Sequence, residues 1–189
     1  MPEETIYTIG HSTRSLPEFI GILKAYRITV VIDIRSIPRS RHNPRFDRDT
    51  LAGALGDAGI RYLHCTDLGG FRKAEKGSVN TAWTSRAFRG FADHMQRGEF
   101  SRAIERLIEI TENETPVLMC AEGNPYRCHR RLIADALVVR GVRVVHLATR
   151  RSGKPHTLTP FARVEEGKIT YPALEPKDTE KRVRQGVLG

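Results

Sequence analysis

Residues 116–141 read PVLMCAEGNPYRCHRRLIADALVVRG, and their pattern decides the fold class. The apolar run Val117-Leu118-Met119 predicts a buried strand that ends in Cys120. Leu132, Ile133, Ala136 and Leu137 then recur at helical spacing. Between the two lies a polar loop with Asn124, a good capping residue, and Pro125, suited to a first helical position, so a helix is expected over 125–140. A strand that delivers a cysteine to the start of the next helix sets it beside backbone N–H groups that favour anions.

The same alternation continues on both sides of this unit. Thr5–Ile9, Thr29–Ile34, Ile60–His64 and Val142–Leu147 read as further strands, the second so continuously apolar that both its faces should be buried. Ser15 with Glu18 three residues on predicts a capping box, followed by Leu16, Phe19, Ile20, Leu23 and Tyr26 at helical spacing. Helices are also expected over 49–58, stopped by Gly59, over 85–95 and over 101–111. A long Gly-rich connection follows the third strand from Asp67 to about Asn80. Glu166-Gly167 sits at the turn of a terminal hairpin.

Strand–helix–strand alternation implies parallel strands with right-handed crossovers. The expectation is an α/β, three-layer fold with a mainly parallel central sheet flanked by helices, plus a small C-terminal β-hairpin. Residues 1–172 form one domain in this reading, and residues 173–189 form a basic, flexible C-terminal tail carrying Lys177, Lys181, Arg182 and Arg184.

At 189 residues the chain can bury a sizeable core, and no apolar run approaches the roughly 20 residues that span a bilayer. Met-Pro-Glu-Glu has neither the basic nor the apolar part of a signal peptide, and three cysteines cannot all pair within one chain. A cytoplasmic location without membrane attachment is the expectation. The formal charge of +9 favours polyanion partners in general, and Arg35, Arg39, Arg41, Arg45 and Arg48 cluster after the second strand.

In parallel sheets ligands bind beyond the carboxyl ends of the strands. Polar residues gather at those ends in this sequence: His11, Ser12 and Thr13, then Asp33 and Arg35, then His64 and Cys65, then Cys120 and Glu122. Cys120, Glu122 and His129 are the candidate catalytic residues: a thiolate that attacks phosphorus or carbon, with Glu122 or His129 moving protons. His11, Ser12, Arg35, Arg39 and Arg130 are the candidate anion-binding residues, because guanidinium forks hold phosphate or carboxylate at two points. Asp33, His64 and Cys128 complete the set. Against these stand plainer readings: Cys120 as an inert core cysteine, Cys128 as a small residue on the apolar helix face, and Asp33 as a partner for Arg35.

Strand, cysteine, loop and helix invite comparison with cysteine phosphatases and rhodaneses. Phosphatase loops of that kind need an arginine six positions after the cysteine. Position 126 is a tyrosine, Arg127 comes one residue late, and Asn124-Pro125 removes a loop amide. The histidines and cysteines show no zinc-finger spacing, so no metal ligand is assigned, and Cys-x-x-Cys is absent. Nothing in the sequence points to a cofactor or an oligomeric state.

Several motifs in order carry a resemblance to a known family. They are Thr8-Ile-Gly-His11-Ser12-Thr13, Asp33-Ile-Arg35-Ser-Ile-Pro38-Arg39-Ser40, Tyr62-Leu-His64 with Leu68-Gly-Gly70, Cys120-Ala-Glu122 through Pro125 to Cys128-His129-Arg130, and Leu158-Thr-Pro-Phe-Ala-Arg163. Over about residues 4–172 the chain resembles the domain of unknown function 488. The family pattern runs Tyr-x-His-Leu-Gly-Gly, whereas Cys65, Thr66 and Asp67 intervene here. The resemblance implies a bacterial-type cytosolic α/β domain and brings no established reaction.

Two function classes follow from the residues. One is an enzyme, a hydrolase or transferase with a Cys/Glu/His site, acting on a nucleotide or another anionic, phosphorylated small molecule at the strand ends. The other is a nucleic-acid-binding module using Arg35–Arg48 and the basic tail, or a ligand sensor without turnover. An aromatic content of 7% and the lack of a stacking motif weigh against the nucleic-acid reading.

Overall fold

The computed structural model describes residues 4–173. The expected basic tail lies almost wholly outside the described residues. Eight strands and five α-helices follow one another in the described chain. β1 (Thr5–Gly10), α1 (Leu16–Ala25), β2 (Val30–Asp33), α2 (Arg48–Asp57) and β3 (Arg61–His64) make up the first half. α3 (Arg86–His94), α4 (Gly98–Thr111), β4 (Pro116–Cys120), α5 (Arg130–Val139), β5 (Arg143–Thr149) and β6 (Ser152–Pro155) follow, and β7 (Arg163–Glu165) and β8 (Lys168–Thr170) close the chain.

The main sheet has the order β3-β2-β4-β1-β5-β6. β1 to β5 are mutually parallel and β6 runs antiparallel on the edge. β7 and β8 form a separate two-stranded hairpin, so the α/β fold with a mainly parallel central sheet and a terminal hairpin is the observed one. Glu166 and Gly167 take positive φ of 49° and 76° at its turn, which glycine tolerates without cost.

Two cores lie on opposite faces of the sheet, as the two-residue period of a strand requires. Ile9, Val31, Val117, Met119, Val145 and Leu147 face α1 and α2 and pack with Phe19, Phe46, Leu51 and Leu55. Ile6, Val30, Ile32, Leu118, Cys120 and Val144 face α3, α4 and α5 and pack with Phe91, Phe100, Ile104 and Leu132. The helices thus form outer layers around the sheet, and every residue of β2 and β4 is buried.

The strand register brings the carboxyl ends to one edge. Gly10 stands level with Cys120, and Asp33 with both Met119 and His64. Because β1 leads to α1 on one face and β4 leads to α5 on the other, a crevice opens between their ends.

Three local expectations change. The helix expected over 125–140 is broken: Pro125–Arg127 forms a 3-10 turn, Cys128 is extended at φ −130° and ψ 150°, and α5 begins at Arg130. Asn124 does cap, but it caps the short turn, its side chain accepting from the Tyr126 N–H at 2.9 Å. Ser15 caps α1 by accepting from the Glu18 N–H, while the Glu18 carboxylate turns to Arg14 rather than back to the cap. β6 adds a strand that no apolar pattern announces, since all four of its residues are exposed.

Candidate functional site

The ladder between β1 and β4 runs on past the strands. His11 N–H donates to the Cys120 carbonyl at 2.9 Å and Ser12 N–H to the Ala121 carbonyl at 3.0 Å. This brings the loop after Cys120 so close to β1 that a Cβ on Gly10 would overlap the Glu122 carbonyl. Glycine at position 10 is therefore a condition for the loop's path.

Arg130, 1% exposed at the start of α5, holds the same loop from below. Its Nη2 donates to the carbonyls of Glu122 at 2.5 Å and Gly123 at 3.3 Å, and its Nη1 to Thr8 Oγ1 at 3.4 Å. Arg130 thus spends its Nη groups on protein oxygens, while its Nε is buried without a hydrogen-bond partner. Glu122 itself is exposed, and its Oε1 accepts from the Asn124 N–H at 2.9 Å.

The break before α5 turns Cys128 toward β4. The two thiols lie 3.0 Å apart, both buried. The Cys120 S–H also points to the Glu122 carbonyl at 3.4 Å. Cys128 Sγ has His129 Nδ1 at 3.5 Å and receives the Arg130 N–H at 3.5 Å. Burial pushes the Cys120 thiol well up, and the neighbouring sulfur adds to that. The bond from Cys120 draws the Cys128 thiol well down against the effect of burial, with His129 and Arg130 helping. Two adjacent sulfurs that share a proton titrate as a pair. His129 Nε2 faces the Ile34 carbonyl at 3.1 Å and so carries its hydrogen, which leaves Nδ1 free to accept from Cys128.

Beyond β2, Asp33 and Arg35 form a buried two-point pair, Nε to Oδ1 at 2.9 Å and Nη2 to Oδ2 at 2.6 Å. Arg35 Nη2 also donates to the Phe46 carbonyl, while Nη1 is buried with no hydrogen-bond partner. Tyr62 O–H donates to Asp33 Oδ2 at 2.7 Å, and burial together with that bond raises its pKa. His64 Nε2 meets the Arg35 carbonyl at 2.8 Å, so His64 braces the β2 loop.

A cavity of about 800 Å³ opens over the ends of β2 and β4. Arg35, Arg39, Arg41 and Arg127 line it, as do Cys120, Cys128, His129 and Glu122. Gly70 forms part of the wall, where an added Cβ would stand 2.7 Å from His129 Nδ1. Ile37 and Phe71, 58% and 79% exposed, also belong to the lining and give the mouth an apolar lip. With Arg35 already paired to Asp33, three further arginines against one glutamate make the chemistry of this cavity cationic.

His11 and Ser12 line a second cavity of about 420 Å³ with Asn43, Arg45 and Gly123. Ala121 and Glu122 form a wall common to both. His11 stacks on Phe46 at 4.4 Å, and its Nδ1 bonds the Ser12 carbonyl, leaving Nε2 buried without a partner. Burial lowers its pKa.

The structure thus gathers Arg35, Arg39, Cys120, Glu122, Cys128 and His129 at one cavity. It sets His11 and Ser12 at the next, and Asp33, His64 and Arg130 underneath as supports. Arg41, from the arginine cluster after β2, lines the cavity too, and Arg127, Gly70 and Phe71 join it without having been named as site residues. The Gly-rich connection after β3 was the signal available for Gly70 and Phe71. Among the described residues no three His, Cys, Asp or Glu side chains gather as a metal site would, and no helix is long and apolar enough to cross a membrane.

Fold and site together define a doubly flanked α/β protein with a thiol pair in a crevice at its strand ends. The family described as Domain of unknown function DUF488 matches residues 15–137, more than half of the chain, and the chain belongs to that family. The matched stretch takes in Arg35, His64, Cys120 and Cys128 and leaves out His11-Ser12 and Leu158–Arg163. No curated protein and no solved structure matches the chain.

Proposed function

We propose that the protein binds a phosphate-bearing anionic small molecule, a nucleotide among them, in the larger cavity and transfers a group to the Cys128 thiolate. The observation that carries this reading is the Cys128 sulfur on the wall of a cavity lined by Arg35, Arg39, Arg41 and Arg127. Guanidinium groups neutralise phosphate oxygens and stabilise the charge that develops on them during transfer. The apolar lip at Ile37 and Phe71 suits a base or another flat apolar group attached to the phosphate.

The chemistry follows from the sulfur's neighbours. His129 Nδ1 takes the Cys128 proton and Cys120 S–H stabilises the thiolate that remains. Attack forms a sulfur–phosphorus bond and breaks the bond from phosphorus to the leaving oxygen, which takes the proton held at His129 Nδ1. Water then cleaves the sulfur–phosphorus bond, with Glu122 on the rim accepting a water proton. The candidate catalytic set becomes Cys128, His129 and Glu122, with Cys120 as the hydrogen-bond donor that tunes the nucleophile. A ligand sensor would share the binding and lack the turnover.

Calorimetric titration with inorganic phosphate and a nucleotide panel tests the binding half, and product release from nucleotides and phosphomonoesters tests the chemistry. Arg39→Ala with Arg41→Ala should weaken binding at least about tenfold, since each charge-assisted contact contributes about 1.5–3 kcal/mol. Cys128→Ser should abolish turnover and leave binding in place. Equal turnover in the wild type and Cys128→Ser would remove the thiolate from the mechanism. Unchanged binding in the double arginine variant would remove the anion site.

A further inference from the structure

The structure holds a pair of thiols in a setting that suits chemistry between them, and this goes beyond the anion site. Cys120 and Cys128 stand 3.0 Å apart, both line the larger cavity, and neither is in a disulfide. They reach that arrangement from separate elements. β4 fixes Cys120 through its ladder with β1, and the extended residue before α5 delivers Cys128. The seven residues between them, 121–127, are exposed or half-buried.

We propose that Cys128 and Cys120 form a reversible redox couple, in which a hydroperoxide oxidises Cys128 and Cys120 resolves the product to a disulfide. In the first step the Cys128 thiolate attacks the terminal oxygen of the hydroperoxide. A sulfur–oxygen bond forms, the oxygen–oxygen bond breaks, and the departing alkoxide or hydroxide takes a proton from water. Cys128 is then a sulfenic acid. In the second step Cys120 sulfur attacks Cys128 sulfur, the sulfur–sulfur bond forms, and the hydroxyl leaves with the Cys120 proton as water. A small-molecule thiol reverses the change by two successive exchanges and is itself left as its disulfide.

The direction of the couple follows from the neighbours of each sulfur. Cys128 has the Arg130 N–H and His129 beside it, which favour its thiolate. Cys120, whose S–H donates to the Glu122 carbonyl, lies within reach of the sulfenic sulfur, the role of a resolving thiol. Cys65, the remaining cysteine, is outside this pair, and burial raises its pKa. Oxidation removes the thiolate from the cavity, so the disulfide form carries no nucleophile there.

Peptide-resolved mass spectrometry after hydrogen peroxide treatment of the full chain, with free thiols blocked before digestion, tests this directly. The expected result is a crosslinked peptide pair containing Cys120 and Cys128. Dithiothreitol should abolish it, and Cys128 alkylation should fall at least about tenfold on oxidation and return on reduction. In Cys120→Ser the oxidation should stop at a Cys128 sulfenic acid that dimedone traps. Over-oxidation of Cys128 without crosslinking in the wild type, or dimedone labelling of Cys65 in place of Cys128, would overturn the proposal. Phosphate titration of the reduced protein gives an independent answer on the anion site, so the two readings fail separately.

Discussion

Thr8 and His146 stand side by side on β1 and β5, Oγ1 2.7 Å from Nδ1, and their bond belongs to a buried chain. His146 Nε2 meets His156 Nδ1 at 2.9 Å, and His156 Nε2 meets Asp135 Oδ1 at 2.8 Å. Arg130 Nη1 reaches Thr8 Oγ1 at the other end. The links run unbroken from Arg130, which donates to Thr8, through His146 to His156, which donates to the Asp135 carboxylate. A buried cation is thereby joined to a buried anion through three side chains. Tyr171 O–H and the Thr159 N–H supply two more donors to Asp135. Since Arg130 also carries the carbonyls of Glu122 and Gly123, the chain positions the loop that frames the thiol pair.

Breaking this chain at its anionic end should be costly. Asp135→Asn leaves His156 and Tyr171 without a carboxylate acceptor and Arg130 without its distant counter-charge. The expected loss is about 3–5 kcal/mol, as for one partner removed from a buried charged pair. Urea denaturation gives the value directly. A loss below about 1 kcal/mol would mean that the chain does not hold the fold in this way.

Acid should weaken the protein before its carboxylates titrate. Burial and the neighbouring His156 push His146 down to about 3, and burial also lowers His11 and His94. In the unfolded chain these imidazoles take up protons near about pH 6.5, while the folded state refuses them. Their contribution is therefore fully present above about 6.5 and is lost as pH falls through the window down to about 3 for His146. Each fully buried neutral imidazole adds a slope of at most about 1.4 kcal/mol per pH unit. Urea midpoints should drop between about pH 7 and pH 5, and His146→Gln should flatten that drop. Equal slopes in both proteins would show that His146 is protonated in the folded state.

The wall glycine at position 70 should resist any side chain. A Cβ there would stand 2.7 Å from His129 Nδ1 and 3.0 Å from two ring carbons. Gly70→Ala must push the imidazole away from the Ile34 carbonyl and from Cys128. We expect a loss of about 1–3 kcal/mol in stability and a rise in the pH at which Cys128 is alkylated. Thermal melts and alkylation profiles read the two effects separately. If stability falls and the alkylation profile does not move, His129 does not help to hold the thiolate.

Much of the fold was legible. β4 could be read because Val117-Leu118-Met119 is apolar on both faces, and it forms where the pattern puts it. The gathering of polar residues at one edge followed from parallel strands alone. The break at Cys128 was not legible, because Pro125 and the apolar stripe after it satisfy local helix rules. The bend faces the Cys120 sulfur on β4, a contact between separate elements, and the local Arg130 N–H donates to the Cys128 sulfur. That bend also changes the candidate chemistry, since it moves Cys128 from the helix face to the cavity wall. β6 escaped notice because Ser152-Gly-Lys-Pro155 is polar and exposed and gains its place from the ladder with β5. His146 did leave a trace: between buried Val145 and Leu147 it had to face α5. Its partners lie too far along the chain for any local pattern to reveal them.

The central claim is that Cys128 rests as a thiolate in the arginine-lined cavity. Its most direct test is the rate of iodoacetamide alkylation at each cysteine against pH, resolved by peptide mass spectrometry in the wild type and in Cys120→Ser. The account predicts that Cys128 reacts with a midpoint well below about 8.5, the ordinary thiol value, while Cys120 and Cys65 react only above it. A Cys128 midpoint at or above that value, or Cys120 reacting first, would contradict it.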